Sequence, residues 1–258
     1  MKSLGNNIER TGDVMTKRID IVGFGYVGKT IYNSLTKNTN YTLRIVDPKY
    51  PESLWKKVFK RKADCAIISI PTPDDDYTDL ISIANGYSCP VLIKSTVLPS
   101  IFDKLNANVS HSPEFLRQAH AYDDFEYARH MIISANGFDF WKDIFLYRAN
   151  DLAGEPLRFL KTDRKTAAMV KYMYNTWLAM KVLYFHEINA LKKGWYDHKE
   201  MTEILGKMIN IGPSHMQPHS DGSIGFDGAC FPKDMKTFAE WTNSEVLQEI
   251  LRINNSFR

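Results

Sequence analysis

At 258 residues and 44% apolar composition, the chain can bury one sizeable core, or two smaller ones that share an interface. Its 33 basic and 30 acidic side chains are interspersed and leave a formal charge of +3, which argues against a nucleic-acid or membrane-surface role while suiting an anionic small molecule. Three cysteines, Cys65, Cys89 and Cys230, cannot all pair, and none sits in a CxxC or His-rich setting, so free thiols in a reducing compartment are expected and a zinc site is not.

No apolar run approaches the roughly 20 residues that cross a bilayer, and the first residues lack the apolar stretch of a signal peptide, so a cytoplasmic location is expected. Residues 1–14 precede the first strand pattern, which opens after Met15, and read as a poorly ordered extension. From Arg18 to about Ala135 short apolar runs alternate with amphipathic stretches: RIDIVGF, the helix VGKTIYNSLTK, then YTLRIVD, ADCAIISI, PVLIKST and HMIISA. Strand and helix repeated at this length predict a doubly wound, Rossmann-like parallel sheet covered on both faces, with Phe138 to Tyr147 as a further helix packing on it. That α/β domain is expected to run from 15 to 155, closing in a loop at residues 150–155.

An all-helical domain is expected from 156 to 258, after a strand in PLRFLKT. Residues 164–193 carry no Pro or Gly and set apolar side chains on more than one face, including Ala167, Val170, Met173, Trp177, Leu178, Val182 and Leu183. A long helix of that kind is buried on several sides, against its own domain and a second subunit. Shorter helices are predicted at 198–208, 233–241 and 245–254.

Gly23-Phe24-Gly25-Tyr26-Val27-Gly28 follows an apolar strand and opens a helix, and Asp47 closes the next strand. Gly23 permits a tight turn, Gly25 lets backbone amides approach a pyrophosphate, and Gly28 lets the helix pack closely on the strand, with the anion on the helix N-terminus. Asp47 would accept hydrogen bonds from an adenosine ribose and repel a 2′-phosphate, which favours NAD over NADP, although Lys49 nearby softens the preference.

The segment 225–234, GFDGACFPKD, is the most informative. Pro232 suits the first helical position, which puts Cys230 just ahead of a helix N-terminus; with Lys233 nearby, that favours an accessible thiolate nucleophile. Cys65 and Cys89 lack such a setting and read as structural. Lys171 and Asn175 lie four apart on one helix face, where a cation and an amide stabilise an oxyanion, unless they are a solvated lysine beside a polar spot. His215 and His219 share that spacing, but prolines at 213 and 218 break the helix a metal site would need, so no metal is expected. Asp74, Asp75 and Asp76 read as a solvated acidic turn.

With these residues in hand, the chain resembles the UDP-glucose/GDP-mannose dehydrogenase family. GFGYVG, IPTP at 70–73, KSTVLPS at 94–100, SPEFLRQ at 112–118, KYMYN at 171–175, IGPSH at 211–215 and GFDGACFPKD occur in the family's order. The resemblance implies a four-electron oxidation of a nucleotide-sugar C6 alcohol to a carboxylate with NAD, UDP-glucose to UDP-glucuronate being favoured, through a thiohemiacetal and thioester on Cys230. It implies Lys171 and Asn175 at the oxyanion, and Asp234, Glu114 and Thr96 positioning water and handling protons. NAD contacts would come from Gly23, Gly25, Tyr26, Val27, Gly28, Asp47, Pro71, Thr72, Ser95, Thr96, Gln118 and Lys233. Glu114, Phe115, Leu116, Lys171, Asn175, Gly225, Phe226 and Gly228 would meet the sugar nucleotide, in a homodimer formed through the long helix.

Asp227 stands for a usual glycine, Asn210 for an arginine that reaches the substrate across the family's dimer, and Gln118 for a frequent glutamate. The chain also ends about where the family's C-terminal nucleotide-binding domain begins, so a naturally short enzyme and one needing another chain to complete the nucleotide site are both open. Two other readings stay open: a two-electron dehydrogenase of the hydroxyacid or hydroxyacyl-CoA type, and a non-catalytic dinucleotide-binding relative.

Overall fold

The computed structural model describes residues 16–50, 62–150 and 156–257; the N-terminal extension and most of the loop at 150–155 lie outside them. Five parallel strands form the main sheet in the order β2-β1-β3-β4-β5: β1 (Lys17–Val22), β2 (Tyr41–Val46), β3 (Cys65–Ile68), β4 (Val91–Ile93) and β5 (Val109–His111). Alternation within strands divides the apolar residues between two layers. Cys65 and Ile67 join Ile19 and Ile21 beneath α1 (Tyr26–Leu35), α3 (Ala121–Glu126) and α4 (Phe138–Phe145), whereas Ala66 and Ile68 join Val22 and Val91 beneath α2 (Thr78–Gly86). The sheet is thus doubly wound, as expected.

β5 was not read from the sequence, and it is also where the ladder changes. The strands β6 (His130–Ser134) and β7 (Arg158–Thr162) form a separate parallel pair. Side chains replace ladder bonds across the gap: Ser134 Oγ accepts the His111 N–H at 2.8 Å and Asn136 Nδ2 donates to Val109 O at 2.6 Å. Because β7 pairs with β6, it sits with the sheet layer, although a division at 155/156 would assign it to the helices.

Asp163 caps α5 (Arg164–Leu191), accepting the Thr166 N–H at 2.9 Å. Its 28 residues span about 42 Å at 1.5 Å per residue. Ala168 packs into the sheet core; farther along, Tyr172, Ala179 and Leu183 pack with α7 (Phe231–Thr242) and α8 (Glu245–Ser256), which form a helical core around Phe226 and Met235. A shorter helix, α6 (His198–Gly206), precedes the loop to Cys230. Among the described residues no helix is long and apolar enough to cross a membrane.

His111 is fully buried on β5, and that burial pulls its pKa down to about 3 from 6.5. As pH falls below 6.5 the unfolded chain takes a proton that the folded chain refuses, so stability is lost across this window, at up to about 1.4 kcal/mol per pH unit. The loss saturates only near the folded value. Urea melts between pH 6.5 and about 5 should show a shallower decline for H111Q than for the parent chain; equal slopes would remove His111 from the acid response.

Candidate active site

Strand register assembles one edge of the sheet. Val22 pairs with both Val46 and Ile68, and Ile93 pairs with Ile68 and His111, so the loops that follow these residues emerge side by side at the carboxyl end. Ligands of doubly wound sheets bind at that end, where the strand order reverses. Here the reversal falls between β1 and β3, at the glycine turn.

Gly23 has φ +83°, and a Cβ on it would meet Ser69 O at 2.7 Å. A Cβ on Gly28 would meet the Gly23 carbonyl oxygen, so α1 can approach β1 this closely only without a side chain there. Gly25 faces open space and caps α1, whose first turn has neither a capping side chain nor an acid. Its amides are left for an outside anion. Val27 packs its side chain into the core, so its contribution to such an anion is the backbone. Asp47 accepts Phe24 N–H at 2.7 Å and Lys49 N–H at 2.8 Å, which ties it to the turn while each oxygen keeps a second lone pair. These residues fit a dinucleotide.

The neighbouring loops are cross-linked. Thr72 Oγ1 donates to Thr96 O at 3.2 Å and Ser95 Oγ donates to Ile70 O at 2.7 Å, so both hydroxyls hold loop to loop. Pro71 is exposed beside them. Gln118 is exposed and borders an open recess with Tyr26 and Thr30 at the start of α1.

Cys230 is exposed and is the N-cap residue of α7; Pro232 occupies the second helical position, one later than the spacing suggested, because Phe231 already has helical backbone. Tyr26, the first residue of α1, stands where the charge of Cys230 acts on its hydroxyl. Burial first, then the charges of Cys230, Glu114 and Asp234, push the Tyr26 pKa up to about 12. This electrostatic link between the glycine turn and the thiol segment was missed, since Tyr26 occupies a variable position of the glycine motif.

Beside the thiol runs a chain of polar contacts. Lys171 Nζ donates to Asn175 Oδ1 at 3.1 Å, Asn175 Nδ2 donates to Asp234 Oδ2 at 2.6 Å, and Lys233 Nζ lies 2.7 Å from Asp234 Oδ1. Burial lowers the Lys171 pKa, while Asp234, Cys230 and Glu114 oppose that shift. Lys233, expected to serve the thiol and a cofactor, is paired with Asp234; Lys171 is the ammonium that feels Cys230. Phe115 lies between Lys171 Nζ, 5.2 Å from its ring centroid, and Tyr174, 5.0 Å away, and Leu116 packs against the sheet core.

Two expected substrate contacts are engaged elsewhere. Phe226 is buried in the helical core, its N–H donating to Asn254 Oδ1 at 2.8 Å, and the Gly225 carbonyl lies 2.8 Å from His219 Nε2. Gly228, at φ +84°, faces open space. Asp75 differs from the solvated turn expected of it, since both its oxygens accept Thr237 Oγ1, at 2.7 and 2.8 Å, and dock the loop after β3 on α7. Lys94 was not singled out, yet it is buried in an ion pair with Glu114 and donates to Ser112 Oγ at 2.8 Å. A lysine ending so apolar a strand as PVLI was the available signal, because a buried ammonium needs a partner.

Residues 165–256 match the central domain of the UDP-glucose/GDP-mannose dehydrogenase family. A UDP-glucose 6-dehydrogenase of Rickettsia bellii is 29% identical over 191 residues, covering 68% of this chain and 43% of that protein. A GDP-mannose 6-dehydrogenase of Pseudomonas savastanoi is 24% identical over 306 aligned positions, covering 93% and 68%. The chain therefore spans less than half of the first of these relatives. Among solved structures, a UDP-glucose dehydrogenase of Pyrobaculum islandicum has a TM-score of 0.73 at 22% identity over 98% of this chain and 70% of that one. The 3-hydroxyisobutyrate dehydrogenase of Mycobacterium tuberculosis has a TM-score of 0.66 at 16% identity over 94% of each chain. Both likenesses establish the fold. The resemblance read from the motifs is borne out: residues 165–256 match the central domain of the UDP-glucose/GDP-mannose dehydrogenase family, and in this chain they are joined to a Rossmann-like sheet.

Proposed function

We propose that the chain is an NAD-dependent nucleotide-sugar 6-dehydrogenase, taking a sugar C6 alcohol to the carboxylate through a covalent bond to Cys230. One observation carries this reading: an exposed thiol at the start of α7 lies one helical turn from Asp234, whose carboxylate is bound through Asn175 to Lys171. NAD, when bound, supplies the hydride acceptor for both oxidations, held by the amides at Gly23 to Gly28 and by Asp47. An aldehyde carbon donates hydride poorly, so Cys230 adds to it, making it tetrahedral as a thiohemiacetal. After the second oxidation the thioester carbonyl takes up water; Thr96, Glu114 and Asp234 position that water and accept its proton, and Cys230 leaves as the thiolate. Lys171 and Asn175 stabilise the alkoxide of each tetrahedral species. UDP-glucose is the favoured substrate, on the names of the Rickettsia bellii and Pyrobaculum islandicum proteins.

The fold is shared with a 3-hydroxyisobutyrate dehydrogenase over nearly the whole of both chains, which favours a two-electron oxidation as the second reading. That reading gives Cys230 no task. A panel of UDP- and GDP-sugars, scored for NADH formed per sugar consumed, separates the two: two NADH and a carboxylate are expected. One NADH, a ketone and indifference to thiol alkylation would favour the second reading, and no reduction with any sugar would leave a dinucleotide-binding protein.

The long helix supports a homodimer. Val170, Met173, Trp177, Tyr184, Ile188 and Leu191 recur at helical spacing on α5 and are all exposed. Light scattering should give a dimer for the parent chain and a monomer for the double variant M173E/W177E; a monomeric parent chain would contradict this.

A further inference from the structure

Arg148 lies in the 3-10 turn that follows α4, and it is 2% exposed. Burying a guanidinium is costly unless its five N–H groups are met. Here its face covers the Phe125 ring at 3.9 Å, Nη1 reaches only Met131 Sδ at 3.9 Å, and Nε and Nη2 have no acceptor among the described residues. Glu114 Oε1 is buried against the Lys94 ammonium, with which it forms an ion pair. Arg148, Lys94 and Glu114 all line one cavity of about 60 Å³. A water needs roughly 10–15 Å³ and two to four polar partners, so this space holds a few waters on groups that call for them.

We infer that Arg148 is a positioning residue for the reaction centre: across this cavity, through water bridging its Nε and Nη2 to Glu114, it holds the Glu114 carboxylate in place. Lys94 grips the same carboxylate directly, and the two cations form the rear wall of the site. The other groups that face Glu114 are Lys171 on α5 and Tyr26 on α1; Asp124 on α3 and His130 on β6 border the cavity. Asp124 is already bound by Arg117 at 2.7 Å, so it takes little of the Arg148 charge. Burial lowers the pKa of Arg148, and Glu114 is the largest opposing influence. The use of Glu114 to handle water rests on the dehydrogenase reading; the coupling of Arg148 to it does not.

The test therefore reads the carboxyl group and not turnover. With glutamate labelled at the side-chain carboxyl carbon, and the Glu114 signal assigned by its loss in E114Q, the Glu114 carboxyl resonance at one fixed pH should move clearly in R148M relative to the parent chain. R148K, which keeps the charge, should fall near the parent. An unchanged Glu114 resonance in R148M, or R148K moving as far as R148M, would overturn the inference. If R148M does not fold, R148Q takes its place. A high-resolution crystal structure of the parent chain must also show a water within hydrogen-bonding distance of both Arg148 and Glu114, and a dry cavity would contradict it. Absence of dehydrogenase activity would sink the functional reading and leave this NMR comparison untouched.

Discussion

Replacing Cys230 by alanine is expected to abolish carboxylate formation while the fold and dinucleotide binding persist. The residue is exposed and caps α7 without a side-chain hydrogen bond to the helix, so alanine removes a nucleophile and little packing. Oxidation of the alcohol does not need the sulfur, and C230A should stop near one NADH per sugar with the aldehyde as product. Loss of a catalytic nucleophile can cost on the order of 10⁶-fold, and spontaneous hydration of the aldehyde leaves a slow route to the acid, so the expected loss in acid formation is roughly 10⁴-fold or more. C230S should lie close to C230A, because a neutral hydroxyl adds poorly without a base beside it. Product analysis by mass spectrometry checks both, and acid formed by C230A at the parent rate would end the covalent mechanism.

The second large effect is expected at Lys171. Its ammonium stands at the head of the contacts through Asn175 to Asp234 and feels the charges of Asp234, Cys230 and Glu114 together. K171M keeps the length and loses the charge, which leaves Asn175 Oδ1 unmet and any developing alkoxide uncompensated. Removal of one oxyanion donor costs roughly 10²- to 10³-fold in kcat, and that range is expected for both oxidations, with KM for the sugar nucleotide changing much less. K171R should recover only part of the rate, since a planar fork does not replace a point charge in a space shaped for an ammonium. Steady-state rates on the alcohol and on the aldehyde, beside a thermal melt that remains cooperative, make the measurement. A KM effect with kcat unchanged would move Lys171 from the reacting atoms to substrate binding.

The parts of this molecule that were legible in its sequence are those governed by local rules. The glycine turn, the strands of six residues and the long Gly-free helix each follow from spacing and composition, and register then brings Asp47 to Gly23 because Val22 pairs with Val46. β5 escaped because three residues, Val-Ser-His, carry too short a pattern to stand out, and its edge is completed by the side chains of Ser134 and Asn136. The site divides in the same way. Cys230 at a helix start and Lys171 with Asn175 one turn apart are local features. Asp234 on Asn175, Asp75 on Thr237 and Lys94 on Glu114 join residues distant in the chain, and no local pattern encodes such meetings.

The covalent claim is tested most directly by stopping the reaction. The enzyme mixed with excess NAD and a nucleotide-sugar, quenched in acid during the first turnovers and digested, should yield a peptide containing Cys230 heavier by the sugar-nucleotide acyl group, and no such mass on Cys65 or Cys89. Carboxylate accumulating while Cys230 is found only as free thiol at every quench time would contradict the account.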